Sequence, residues 1–139
     1  MHYAIIAAGE GSRLVQEGIA LPKPLVDLDG RPMIKRLIDI MMAVNPESLS
    51  IIVNEHMVQV REYLEGLSLP VPFKLVVKST PSSMHSFYEV SRAFPAAGKF
   101  VLTTVDTIFR ADDFQRYVEA FEADTTGADG YMGVTDYID

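Results

Sequence analysis

Gly9 and Gly11, an arginine and a lysine between two prolines lie close together in "AAGEGSRLVQEGIALPKPLVDLDG", residues 7–30. Gly9 and Gly11 lack a Cβ, so the backbone there can turn tightly and approach a ligand closely. Successive N–H groups in such a turn make a concave anion site. Arg13 follows directly, and its planar fork suits phosphate oxygens. Lys23 stands between Pro22 and Pro24, which both fix φ; Leu21 and Lys23 each precede a proline and are expected to be extended. A stiff segment aims a flexible lysine at little ordering cost. The chemistry this pattern suits is the binding of a polyanion. A Walker loop needs lysine and then Ser or Thr straight after its last glycine, but Ser12 and Arg13 stand there. A dinucleotide fingerprint needs a third glycine at position 14, which is Leu14, and this weighs against a nicotinamide-dinucleotide domain. A glycine turn with no ligand accounts for the GxG alone, and a solvated lysine or a surface ion pair accounts for either cation alone. All of them side by side favour an anion site.

A hard carboxylate, Asp106, ends the apolar run "FVLTTVD" and suits a Mg²⁺ that bridges phosphates; a turn aspartate is the plainer alternative. Ser82 and Ser83, in "STPSSMHSFYEV", are candidates both to read a nucleotide base and to cap the helix that follows. Asp112 and Asp113 read as first-turn residues of a later helix. His2, His56 and His85 have no pair at metal-ligand spacing, and His85 reads as structural. The chain has no cysteine, which removes disulfides, thiolate metal sites and cysteine nucleophiles.

The elements that must position these residues alternate. "HYAIIAA" is a nearly continuous apolar run, as in a strand buried on both faces. "RPMIKRLIDIMMAV" is a helix with Pro32 as its first residue and Met33, Ile34, Leu37, Ile38 and Met41 at helical spacing. "SLSIIVNE" is a strand closed by Asn54. "MVQVREYLEGL" is a helix ended by Gly66. "FKLVVKS" is a strand, "SMHSFYEVSRAF" a helix stopped by Pro95 and Gly98, and "KFVLTTVD" a strand. "ADDFQRYVEAFEA" is a helix with Phe114, Tyr117, Val118 and Phe121 on one face, and "DGYMGVTDYI" is a last strand. The pattern predicts an α/β fold: three layers, a mostly parallel Rossmann-like sheet with helices on both faces. Ligands of such sheets bind beyond the carboxyl ends of the strands. Three loops distant in sequence, those holding Gly9, Ser82 and Asp106, should therefore meet at one sheet edge. A final strand with no helix after it leaves an uncovered face or edge. The expectation is a piece of a longer domain, or a homo-oligomer that supplies the cover.

Residues 1–139 are one domain's worth of chain. A hydrophobic fraction of 48% and a charged fraction of 22% are ordinary for a globular protein. The formal net charge of −7 speaks against nucleic acid as a partner. No apolar run is long enough for a membrane span, and the start of the chain does not read as a signal peptide. A cytoplasmic location is expected.

The stretch "AAGEGSRL", then "PKPLV" and "DLDGRPMIKRLID", resembles the signature of the nucleotidyltransferase family, which takes in sugar-phosphate nucleotidyltransferases and MobA-like NTP transferases. The likeness is strongest over residues 3–40. It implies transfer of a nucleotidyl group from a nucleoside triphosphate to a sugar phosphate or related phosphate acceptor, with release of pyrophosphate, as in sugar-nucleotide biosynthesis. It implies a triphosphate wrapped by Ala7, Ala8, Gly9, Gly11 and Ser12. Arg13 would hold the departing β- and γ-phosphates, Lys23 would sit near the α-phosphorus, and Asp106 would bind Mg²⁺. Val105 departs from the glycine usual before that aspartate. "SSMHSFYEV" is similar to the corresponding stretch of choline-phosphate cytidylyltransferase-like members, with Ser86, Phe87 and Tyr88 in register; this leaves Ser82 and Ser83 as base-reading candidates. The family's acceptor half and second metal-binding aspartate have no counterpart here, so the chain is expected to be the nucleotide-binding portion and to turn over poorly alone. The alternatives are a non-catalytic nucleotide-binding module and a cytidylyltransferase for a non-sugar phosphate such as phosphocholine.

Overall fold

The computed structural model describes residues 1–9, 21–94 and 98–134. The chain divides into two compact units, Met1–Thr107 and Ile108–Asp139.

The first unit is built on a four-stranded, all-parallel sheet. Its strands are β1 (His2–Ile6), β4 (Ser48–Val53), β5 (Phe73–Val77) and β6 (Phe100–Thr104), in the spatial order β5-β4-β1-β6. β1 pairs on both sides, with Ile6 opposite Ile52 of β4 and Thr104 of β6. A strand paired on both sides and covered on both faces must be apolar throughout, and Tyr3, Ala4 and Ile5 are fully buried. On one face Ala4, Ile6 and Ile52 form a cluster with Val90 of helix α3 (Ser83–Ser91), and Val76, Phe87 and Phe94 pack around it. On the other face Tyr3, Ile5, Leu49, Ile51 and Val53 are buried. There the Tyr3 hydroxyl donates to the carbonyl of Val44, just past helix α1 (Met33–Met42). Helix α2 (Val58–Glu65) packs against β5. The expected parallel α/β architecture is what forms.

Between β1 and α1 lies a small hairpin, β2 (Asp27–Leu28) with β3 (Arg31–Pro32). Its two central residues, Asp29 and Gly30, have φ of 52° and 86°. Both lie in the left-handed region that a two-residue Asp-Gly hairpin loop requires. Pro32 is not the first helical residue. It is extended (φ −56°, ψ 143°) and pairs with Asp27, so the helix opens one residue later at Met33. Arg31 and Lys35 both donate to Asp39, tying the hairpin to α1. α1 buries Ile34, Leu37, Ile38, Ile40 and Met41. α3 ends at Ser91, ahead of Gly98. Pro95, its other expected stop, lies outside the described residues.

The second unit holds α4 (Ala111–Ala123), with Phe114 and Val118 buried and Phe114 stacked on Phe109 at 5.1 Å. The strand expected over residues 129–138 does not form in its described part, 129–134. Gly127 (φ 81°) turns the chain. Tyr131 then packs on Phe121 (5.3 Å), and its carbonyl accepts from the Tyr117 hydroxyl at 2.8 Å. The aromatic face of α4 captures the segment that alternation alone assigned to the sheet.

Ile38 is fully buried on α1, and its truncation leaves a cavity that the surrounding residues close only in part. Ile38→Ala should destabilise the chain by about 2–5 kcal/mol in urea unfolding. A loss under about 1 kcal/mol would show that this helix face is not packed.

Candidate functional site

Parallel strands send their carboxyl ends to one edge, and the residues in question leave from there. Ala7 extends β1 by one bond, its N–H donating to the Ile52 carbonyl at 2.9 Å. Ala7 is buried, Ala8 half-buried and Gly9 exposed. Gly9 does not adopt a left-handed φ, and a Cβ built on it meets no described atom within 4 Å. Among the described residues nothing requires a glycine at position 9. Gly11, Ser12 and Arg13 lie outside the described residues.

β6 is prolonged in the same way. The Val105 N–H donates to the Ile6 carbonyl at 3.1 Å, and the Val105 side chain is buried. This accounts for a valine where a glycine was expected: the position is the last rung of the ladder and fills core. The next residue, Asp106, is lifted out on a short turn. The Thr107 N–H donates to the Thr104 carbonyl at 3.4 Å, and the Thr104 and Thr107 hydroxyls are 2.7 Å apart.

Lys23 reaches this turn from another part of the chain. It was expected to be extended before Pro24, but it opens a 3₁₀ turn, Lys23–Leu25. The Leu25 N–H donates to the Pro22 carbonyl (2.9 Å) and the Val26 N–H to that of Lys23 (3.1 Å). Pro24 is buried beneath the turn, which packs on α1. So anchored, the turn holds the Lys23 Nζ 3.0 Å from Asp106 Oδ2, across 83 positions of sequence. The Lys23 ammonium keeps the Asp106 carboxyl below its usual range; partial burial opposes this, and the Thr104 hydroxyl adds to the lowering. The side chains are 34% and 50% exposed, so water screens the pair and its stability value is small.

Ser82 caps α3. Its hydroxyl accepts from the His85 N–H at 3.4 Å and lies 2.7 Å from the His85 ring Nδ1. Ser83 is the first residue of the helix and is exposed. Ser86 is buried against the Thr80 hydroxyl, 2.6 Å away. Ser82 and Ser83 follow β5, which is separated from β1 by the whole width of β4. Lys23 and Asp106 are thus brought together, Ala8 and Gly9 border them on β1, and the two serines stand to one side. One residue of this edge was read only as a strand end. Asn54 is 7% exposed, and its side-chain amide donates to the Ala8 carbonyl at 3.0 Å. A polar residue closing a buried strand was the only hint in the sequence. Among the described residues no three His, Cys, Asp or Glu side chains converge to hold a metal ion, and no helix is long and apolar enough to cross a membrane.

The family model for the MobA-like NTP transferase domain matches residues 3–135. The chain belongs to that family. Bifunctional protein GlmU of Thermus thermophilus is 33% identical over 108 residues, which are 77% of this chain and 23% of that protein. CMP-5'-(3-aminopropyl)phosphonate synthase of Streptomyces rubellomurinus is 29% identical over 126 residues, 89% of this chain and 20% of that protein. A solved structure described as a putative glucose-1-phosphate thymidylyltransferase from Bacillus anthracis superposes with a TM-score of 0.74 at 28% identity, covering 88% of this chain and 50% of that one. The chain spans half of that structure and less than a quarter of these two curated relatives.

The Lys23–Asp106 pair sets the titration of the carboxyl. The folded value lies below the ordinary 3.8. The pair's contribution is therefore present above that ordinary value and is lost as pH falls through the lower folded one. In Lys23→Met the Asp106 carboxyl should titrate closer to 3.8, read by ¹³C NMR. An unchanged titration would show that Lys23 does not sit on this carboxylate in solution.

Proposed function

We propose that residues 1–139 form the nucleotide-binding portion of a nucleotidyltransferase domain that binds a nucleoside triphosphate with Mg²⁺ at the carboxyl edge of the sheet. The observation that carries the reading is the 3.0 Å approach of Lys23 to Asp106, beside the open Gly9 backbone. A cation and a hard carboxylate at one exposed edge suit a metal-bound polyphosphate.

In the proposed reaction an oxygen of the acceptor phosphate attacks the α-phosphorus, the bond from the α-phosphorus to the bridging oxygen breaks, and pyrophosphate leaves. No covalent enzyme intermediate is required; the protein positions the anions and stabilises developing charge. Lys23 supplies positive charge at the α-phosphate. Arg13 takes the β- and γ-phosphates. The backbone of Ala7, Ala8, Gly9, Gly11 and Ser12 is the stretch proposed to follow the chain of phosphates, and Ser82 and Ser83 are left for the base. Asp106 fits Mg²⁺ as one hard oxygen donor, and this ion is commonly held by one or two carboxylates plus phosphate oxygens and water. When bound, Mg²⁺ offsets phosphate charge. The acceptor proposed is a sugar phosphate, supported by the thymidylyltransferase likeness. A second reading, cytidylyl transfer to a non-sugar acceptor, draws on the CMP-phosphonate synthase likeness. A cytoplasmic location is part of the proposal and is supported by the lack of cysteines.

The test is calorimetric titration of the chain with the four common triphosphates and Mg²⁺, followed by a pyrophosphate-release screen against a panel of sugar and non-sugar phosphates. Binding of at least one triphosphate is expected, and binding without release under any acceptor is the outcome for a non-catalytic module. No binding of any triphosphate would overturn the reading. In the polypeptide that releases pyrophosphate, Lys23→Ala should lower turnover by about 10²–10³-fold and triphosphate affinity much less. A change confined to the Michaelis constant would contradict the role given to Lys23.

A further inference from the structure

Asn54 makes contacts that its place at the end of β4 does not require. It is nearly buried, so both ends of its amide must be satisfied. Its Oδ1 accepts from the His56 N–H at 2.9 Å, an Asx turn that starts the β4–α2 connection. Its Nδ2 donates to the Ala8 carbonyl at 3.0 Å. The β1–β4 register, carried two residues past Ile6–Ile52, puts Ala8 opposite Asn54, so the side chain supplies a ladder bond where the backbone ladder stops.

This bond has a consequence for the next peptide. The Ala8–Gly9 peptide is trans, so its carbonyl and its N–H point in opposite directions. Asn54 holds the carbonyl. The Gly9 N–H then sits on the far side of that peptide from the Asn54 contact, at the end of β1, the strand next to the β6 that leads into Asp106. Gly9 is exposed, and no described atom crowds it.

We propose that Asn54 is a positioning residue for the triphosphate: by holding the Ala8 carbonyl it aims the Gly9 N–H at the phosphates beside Lys23. The inference rests on the triphosphate reading above and adds to it the group that orients the first donor of the loop. A backbone N–H fixed in advance loses little freedom on binding an anion, and a hydrogen bond to a charged acceptor is among the stronger kinds.

Two variants separate the roles. Asn54→Ala removes both contacts without adding charge. Asn54→Asp keeps the acceptor for the His56 N–H and removes the donor to Ala8. The ¹⁵N-labelled chain and both variants are titrated with Mg²⁺ and inorganic tripolyphosphate by NMR, with thermal unfolding as the check on folding. The expected result is a large downfield move of the Gly9 amide in the wild-type chain, with affinity weakened about tenfold or more in both variants and the Gly9 response reduced. If Asn54→Asp binds like wild type and only Asn54→Ala is weakened, the side chain serves the turn alone and the proposal fails. If only Asn54→Asp is weakened, the effect is charge repulsion and the proposal fails as well. Should either variant not fold, the wild-type signature decides: tripolyphosphate binding that leaves the Gly9 amide unmoved overturns the proposal while the triphosphate reading stands. No binding by the wild-type chain removes the triphosphate reading and this inference with it.

Discussion

The pairing of β1 on both of its sides is the constraint on which the rest depends. One five-residue strand, His2–Ile6, carries ladder bonds to β4 and to β6, all three running in the same direction. The chain segments that follow Ile6, Val53 and Thr104 must then emerge at one edge, although nearly a hundred residues separate the first from the last. The register sets more than direction. Ile6 lies level with Ile52 and Thr104, and the ladder runs on through the Ala7 and Val105 N–H groups. Gly9, Asn54 and Asp106 are placed within a few residues of that shared end.

Electrostatics explains why this edge, and not the sheet as a whole, holds the charged groups. A central strand buried on both faces tolerates no unpaired charge. Lys23 and Asp106 are accommodated because both stay partly in water beyond the last rung. Their mutual attraction there is weak in stability terms. It nevertheless keeps a cation and a carboxylate at hydrogen-bond distance, and under the proposed function a metal-bound phosphate chain would offer each of them a partner of opposite charge. The buried Pro24 and the Asp-Gly hairpin serve the same end by fixing where the lysine starts.

The sheet was legible because its strands are short apolar runs bounded by glycine, proline or asparagine, and the helices because their apolar spacing is regular. The rule that open sheets place ligands at their carboxyl ends put the Gly9 and Asp106 loops at one edge, and the family motif singled out Lys23 and Asp106, but the contact between these two side chains was not foreseen. Besides the start of α1 at Met33 instead of Pro32, three features were not legible, each for a local reason. Lys23 enters a 3₁₀ turn against its pre-proline preference because Pro24 is buried and two backbone bonds close the turn. The alternation of strands and helices along the chain assigns residues 129–134 to a last strand, but the aromatic face of α4 takes Tyr131. Asn54 looks like any polar residue that stops a strand, since sequence spacing carries no sign that its amide spans to Ala8, 46 positions away. Ser82 could be read as a cap or as a base contact; the cap bond forms, and the base contact belongs to the proposed function.

The central claim is that Lys23 and Asp106 mark one metal–triphosphate site. The most direct test is Mn²⁺ binding, followed by electron paramagnetic resonance, with and without a non-hydrolysable triphosphate, in the wild-type chain and in Asp106→Asn. One carboxylate with a lysine on it is a poor site alone, so weak binding is expected without triphosphate and clearly tighter binding with it, the gain being lost in Asp106→Asn. Tight Mn²⁺ binding that needs no triphosphate and survives Asp106→Asn would contradict the claim.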